Sequence, residues 1–289
     1  MSIDLHIHSV YSDGSQTPAE IVALAVRRRL TAISLTDHDT MAGTPGALHA
    51  GVEQGIEVLP GLEISAVHGE TYLHILGYGM ERDDPGLVAG LSRLQQARDE
   101  RNVKIVQKIV DLGFPITLTE VQTVSRLGQT GRPHIAKVLK AHGIVKNIPA
   151  AFERFLKKGA PAYVSRFVYN AEEAIGMIKR AGGVAVLAHP IQIDPTLERL
   201  PGLLAELAVF GLDGIELYYP TQSSRVRKKI KMLAERYHLL STGGSDYHGD
   251  VRPGSHLAGG KNVHVPSDVL ETIRQRLAKL KTTAEEDSL

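Results

Sequence analysis

Residues 4–14 read DLHIHSVYSDG, and the start of that run admits few backbones. Ile3, Leu5 and Ile7 alternate with Asp4, His6 and His8. Successive side chains of a strand point to opposite faces, so this period of two predicts a strand with one apolar face. The other face carries two imidazoles and a carboxylate, and Asp13 follows in the loop beyond it. A strand built only for packing has little use for such a face. A metal site does.

The same arrangement recurs along the chain. Short apolar runs predict strands at 3–7, 32–36, 57–59, 73–77, 184–188, 214–218, 239–242 and 262–265, with helical patterns between most of them. The first helix has a start signal in Thr17-Pro18-Ala19-Glu20: a cap, a proline suited to the first turn, and a glutamate that completes a capping box. Strand-then-helix alternation reads as an α/β fold with a parallel sheet or barrel. Asp37-His38-Asp39 follows the second strand, Glu63 the third, His189 the fifth, and Asp246 with His248 the seventh; His74 lies within the fourth. The carboxyl ends of strands are where barrels and open α/β sheets build their sites. Each residue alone has a plainer explanation. A lone strand histidine is usually a hydrogen-bonded structural residue, and Asp37 or Asp39 fits a turn or a helix cap. Independent caps and turns would not all place imidazole or acid at one end of the fold.

The candidate metal ligands are therefore His6, His8, Asp13, His38, Glu63, His74, His189, Asp246 and His248. Nine donors exceed what one ion takes and imply two or three, sharing a carboxylate. The chain has no cysteine, so thiolate ligation and disulfides are excluded. Mixed imidazole and carboxylate suits Zn, Mn or Fe(II) better than Mg or Ca.

The stretch 85–161 breaks the strand–helix rhythm. It opens on a long helical pattern through Leu87, Leu91 and Leu94, resumes at Val103 and Val106, and is interrupted by Arg98-Asp99-Glu100-Arg101. It reads as a helical insertion into a domain formed by 1–84 and 162–281, with 282–289 a flexible tail. Arg132 and His134 stand at a helix start, where free N–H groups suit an anion, and Arg126 is close by. These three are the candidates for holding a substrate phosphate.

A net charge of +1 over 289 residues argues against a dedicated duplex-binding surface. Trp is absent and aromatics are 5 %, which excludes extensive base-stacking platforms. No apolar run is long enough to span a bilayer. The reading is a cytoplasmic protein with no membrane partner and no obligate protein partner.

DLHIHS, the downstream Asp13, TDHD, GLEIS, AHP and SDYH together resemble the successive motifs of the PHP (polymerase and histidinol phosphatase) superfamily. The layout and GRPHIA at Gly131–Ala136 are similar to its stand-alone branch of nucleoside 3′,5′-bisphosphate phosphatases and 5′-to-3′ exoribonucleases. The resemblance implies a distorted (β/α)7 barrel with a trinuclear site. One ion would take His6, His8, Glu63 and Asp246; a second Asp13, His38 and His248; a third Glu63, His74 and His189. Many relatives have His where this chain has Asp13, and the added negative charge favours Mn or Fe over Zn.

The implied activity is metal-dependent hydrolysis of phosphate esters. A hydroxide bridging clustered ions would attack phosphorus, with Asp13, His38 and His248 around it. Asp37 and Asp39 would orient His38 or a bound water. The expected substrate is a nucleoside 3′,5′-bisphosphate or a short 5′-phosphorylated oligonucleotide. The alternatives are a histidinol-phosphate phosphatase or broad phosphomonoesterase, a hydrolase of C–N bonds, and a degenerate accessory module without activity.

Overall fold

A computed structural model describes residues 2–125, 128–252, 254–258 and 264–286. The expected strand at 262–265 is met only by β9 (Val265–Pro266), because 262 and 263 lie outside the described residues. Arg126 lies outside them too.

The first strands are β1 (Ser2–Ile7), β2 (Leu30–Leu35), β3 (Glu57–His68) and β4 (Thr71–Tyr78). Helices α1 (Pro18–Arg27) and α2 (Thr44–Gln54) cross between the first three. The α1 start is a capping box: Glu20 N–H donates to Thr17 Oγ1 at 3.3 Å and Thr17 N–H to Glu20 Oε2 at 2.7 Å. Four helices follow: α3 (Pro85–Asp111), α4 (Leu118–Ser125), α5 (Arg132–Ala141) and α6 (Ile148–Ala151), the last running into a π-helical turn at Phe152–Leu156. Ile105, Ile109, Val121, Ile135, Leu139 and Phe155 form a core of their own among them.

The sheet resumes with β5 (Tyr169–Asn170), β6 (Val184–Leu187), β7 (Gly214–Tyr218) and β8 (Leu240–Gly243). Helices α7 (Ala171–Arg180), α8 (Pro190–Ile193), α9 (Leu200–Val209) and α10 (Ser224–Arg236) lie between these strands, and α11 (Asp268–Glu286) follows β9. The tail expected from 282 is thus helical as far as Glu286.

The strand order is β8-β7-β6-β4-β3-β2-β1-β9, with β5 beside β3. The sheet curls until its ends meet, giving a nearly closed barrel. At the carboxyl end Tyr247 bridges back to Ile7, with His8 N–H donating to the Tyr247 carbonyl at 2.9 Å. At the other end β9 pairs antiparallel with β1.

The sheet is not wholly parallel, against the expectation. β3 and β4 form an antiparallel hairpin, and β4 is antiparallel to β6 as well. Only Gly69 and Glu70 separate the two hairpin strands, too few residues for the crossover a parallel pair needs. Gly69 takes φ 57, the left-handed conformation that glycine adopts without cost. β3 also runs to His68, so Glu63 lies within a strand and not in a loop beyond one.

Leu73 and Ile75 pack with α3 and α7 residues such as Leu87, Leu91, Ile175 and Ile178. Leu76 and Tyr78 join the core of Ile3, Leu5, Val184 and Val186, which Val269 and Ile273 of α11 cover. His74 precedes Leu76 and Tyr78 at the same period of two, so it stands on their face, toward the barrel mouth.

Candidate active site

Both faces of β1 are buried, so its polar residues are not a wet edge. The pairing of β1 with β2 slips between Asp4 and Ile7. Such a bulge re-aims side chains, here around His6. Asp4 serves the backbone: its carboxylate accepts from Ser245 N–H at 2.9 Å and Ala258 N–H at 2.7 Å. It ties β1 to the loop that carries Asp246.

Glu63 is the centre of the cluster. Its Oε1 lies 3.0 Å from both His74 Nδ1 and His189 Nε2, and 3.5 Å from His6 Nε2. Its Oε2 lies 2.8 Å from His38 Nδ1 and 3.3 Å from His8 Nε2. A second carboxylate, Asp246, places Oδ1 at 3.3 Å from His8 Nε2 and 3.6 Å from His6 Nε2. A third, Asp13, lies 3.3 Å from His248 Nε2, 3.8 Å from His8 Nδ1 and 3.9 Å from His38 Nε2. The structure thus brings together all nine residues that the sequence singled out as metal-capable.

Burial disfavours ionised Glu63, Asp13 and Asp246, yet the surrounding imidazoles hold all three carboxyls well below the usual range. Burial, reinforced by His248 and His38, pushes His8 down to about 3 and keeps it a neutral donor.

The donor set also carries unmet valence. His6 Nε2, His8 Nε2 and Asp13 Oδ1 are buried without a hydrogen bond among the described residues, and the 2.8 Å approach of His38 Nδ1 to Glu63 Oε2 is not aligned as one. Buried polar atoms normally have partners, and orphaned ones cost free energy. Three groups have ligand atoms within 4.8 Å of one another: His8/Asp13/His38/His248, His6/His8/Glu63 and His38/Glu63/His74. Imidazole and carboxylate orphans at this spacing fit divalent cations.

Supporting residues fix these donors. Glu216 of β7 is fully buried; its Oε1 lies 2.9 Å from His6 Nδ1 and its Oε2 accepts from His189 N–H at 2.7 Å. The sequence reading passed over it. Its signal was an acid inside an otherwise apolar strand, GIELY. Asp246 turns its other oxygen away from the cluster, to the Tyr219 hydroxyl at 2.8 Å and to Arg252. Asp246 and His189 both hold positive φ, 50 and 28, conformations that a non-glycine residue adopts at a cost.

Asp37 and Asp39 make no hydrogen bond to His38 among the described residues. Asp37 is a knot for the loop after β1, accepting from Ser9 N–H at 2.7 Å, Ser9 Oγ at 2.6 Å and Ser12 Oγ at 2.5 Å. Asp39 faces the helices. It accepts from Ser65 N–H at 2.8 Å, from Arg166 at 2.9 Å and from Arg98.

These arginines line a cavity of about 350 Å³ that also touches Asp13, His38, His74 and His189. Arg98 and Arg101 come from α3, Arg132 from α5 and Arg166 from the segment before β5. Against four guanidinium groups, Asp39 is the one carboxylate in ion-pair contact among the described residues. Arg101 is 6 % exposed, and its Nε has no partner among them. Burial and the neighbouring Arg98, Arg166 and Arg132 push its pKa down to about 8.

Of the expected phosphate-binding residues, Arg132 lines the cavity, although its Nη1 also donates to the Leu156 carbonyl at 3.2 Å. His134 does not line it. It is buried, and its Nδ1 accepts from Gly131 N–H at 3.0 Å, capping its own helix. Arg98, Arg101 and Arg166 were missed, the first two because they read only as a break in a helical pattern.

A family model for the PHP domain matches residues 4–158. The chain belongs to the PHP family. It is 33 % identical over 93 % of its length to the 3′,5′-nucleoside bisphosphate phosphatase of Chromobacterium violaceum, covering 92 % of that protein. It is 32 % identical to a 5′-3′ exoribonuclease of Haemophilus influenzae, over 92 % of this chain and 96 % of that one. It is also 33 % identical to a phosphoribosyl 1,2-cyclic phosphate 1,2-diphosphodiesterase of Eggerthella lenta, over 85 % and 94 %. Among solved structures, a metal-dependent phosphoesterase of Bifidobacterium adolescentis superposes with a TM-score of 0.86 at 32 % identity, covering 95 % of this chain and 96 % of that one. The chain is a metal-dependent PHP phosphoesterase. No helix among the described residues is long and apolar enough to cross a membrane.

Proposed function

We propose that this enzyme removes the 3′-phosphate of nucleoside 3′,5′-bisphosphates and trims short 5′-phosphorylated RNA or DNA from the 5′ end. One observation carries the reading: Asp13, His38, His74 and His189 of the imidazole–carboxylate cluster line the same cavity as four arginines, which have one paired carboxylate among the described residues. A substrate with two separated phosphates satisfies both. The matching names of the relatives from Chromobacterium violaceum and Haemophilus influenzae support it.

Two or three divalent ions, most naturally Mn, would be held by His6, His8, Glu63 and Asp246, by Asp13, His38 and His248, and by His74 and His189 with Glu63 shared. Bound there, such ions would supply acidification of a water and neutralisation of phosphate charge. Glu216 orients His6, while Tyr219 and Arg252 leave one oxygen of Asp246 free for the cluster. Arg101 and Arg132 bind the second phosphate, and Asp39 sets Arg98 and Arg166 beside it. In this reading 85–161 is an inserted subdomain that brings the cationic half of the site to the barrel of 1–84 and 162–281. Its proposed place of action is the cytoplasm.

Histidinol phosphate has one phosphate and a cationic amine, which the arginine wall repels, so it fits less well. The test is hydrolysis, with Mn, of a nucleoside 3′,5′-bisphosphate, a short 5′-phosphorylated RNA and histidinol phosphate side by side. The first two should turn over at far higher kcat/KM. A preference for histidinol phosphate, or activity confined to amides, would overturn the assignment.

A further inference from the structure

Three aromatic residues, Tyr72, Phe152 and Tyr163, also line the cavity. Tyr72 is 51 % exposed, although it stands in β4 beside the fully buried Ile75 and Leu76. Tyr72 and His74 are two residues apart on one strand and share a face, while Leu73 between them packs into the apolar core. Two residues of strand put the ring roughly 7 Å outward of the imidazole. That is about the span of the sugar between a base and its phosphate.

Tyr163 meets Tyr72 hydroxyl to hydroxyl, and the Arg132 guanidinium lies 6.0 Å from the Tyr163 ring. Ligand donors, guanidinium groups and aromatic rings thus share one cavity, and of the three rings Tyr72 is the exposed one.

We propose that Tyr72, beside Tyr163, is the stacking platform for the base of the reacting nucleotide. Every base has a π-face, so stacking supplies affinity without sequence readout. The assignment rests on the nucleotide reading above. It also narrows what the sequence excluded: there is no extended platform, but one ring at the right distance serves one base.

The test compares the wild type, Tyr72→Ala and Tyr72→Phe on nucleoside 3′,5′-bisphosphates bearing each of the four bases and on abasic ribose 3′,5′-bisphosphate. Tyr72→Ala should raise KM for the four nucleotides about tenfold, leave kcat nearly unchanged, and leave the abasic compound unaffected. Tyr72→Phe should behave as wild type, because the ring and not the hydroxyl does the work. Equal loss on the abasic compound would make Tyr72 a wall and not a platform. An unchanged KM in Tyr72→Ala, or a Phe variant as weak as Ala, would overturn the proposal. If the wild type cleaved none of these compounds yet hydrolysed simple phosphomonoesters, the nucleotide reading itself would fall, and the stacking assignment with it.

Discussion

The two walls of the cavity are held in different ways. The imidazole–carboxylate wall stands on strands and the residues just past their ends, and four of its nine members have separate supports: Glu216 for His6 and His189, Tyr219 and Arg252 for Asp246, and the barrel closure at Tyr247 for His8. The arginine wall stands on α3, α5 and the segment before β5, and two of its four members hang from one carboxylate, Asp39. Damage to the first wall should be graded by how central the residue is. Damage to the second should concentrate at one position.

Removing the centre of the first wall tests this most severely. Glu63→Gln should lower kcat/KM by more than about 100-fold, exceeding the loss typical of a supporting residue, and purified protein should carry less metal by elemental analysis. Activity that survives would show that Glu63 is not shared between ions.

Asp39→Asn attacks the second wall at its one anchor. Breaking a buried pair by removing one partner costs about 3 kcal/mol, and here Arg98 and Arg166 are left facing each other. Urea unfolding should show that loss, while metal content stays at the wild-type value. A drop in metal content would mean that the two walls are not separable. Glu216→Gln should be milder, with metal affinity weakened on the order of 10–100-fold in a chelator competition and little change in the unfolding midpoint of the metal-free protein.

The smallest effect is expected at His134, the helix cap beneath the arginine wall. Burial pushes its pKa down to about 4. Between that value and the ordinary histidine range near 6.5, the unfolded chain binds a proton that the folded chain refuses. Stability from this residue is therefore complete above about pH 6.5 and is lost as the pH falls toward 4. His134→Asn should flatten the pH dependence of the unfolding free energy in that window. An unaltered slope would show that His134 is not held neutral by burial.

The contrast between the walls also explains what the sequence made legible. Each residue of the first wall has a local signature, an imidazole or acid within a short apolar run or just after one, and nine such residues can be matched to strands without knowing the fold. Glu216 carried the same signature, but a lone acid in a strand resembles an exposed position. The reversal at β4 was hidden because YLHILGY reads alike in either direction. The two-residue link at Gly69-Glu70 was the clue. The second wall has no local signature. Arg98 and Arg101 resemble the wet face of any helix, and only the packing of α3 beside Asp39 turns them into a cavity lining. His134 misled for the same reason: a helix start was visible, but not which way its third residue would turn.

The β3–β4 hairpin sets a limit on how this chain can change. Ser65 pairs with His74 and Val67 with Tyr72 across it, one residue against one. Lengthening the link at Gly69-Glu70 by a single residue and sliding β4 to follow would exchange the faces of the whole strand. Leu73 and Ile75 would enter the mouth, and Tyr72 and His74 would leave it. Surface loops elsewhere can drift in length, but this turn fixes the reading frame of the site and should vary least.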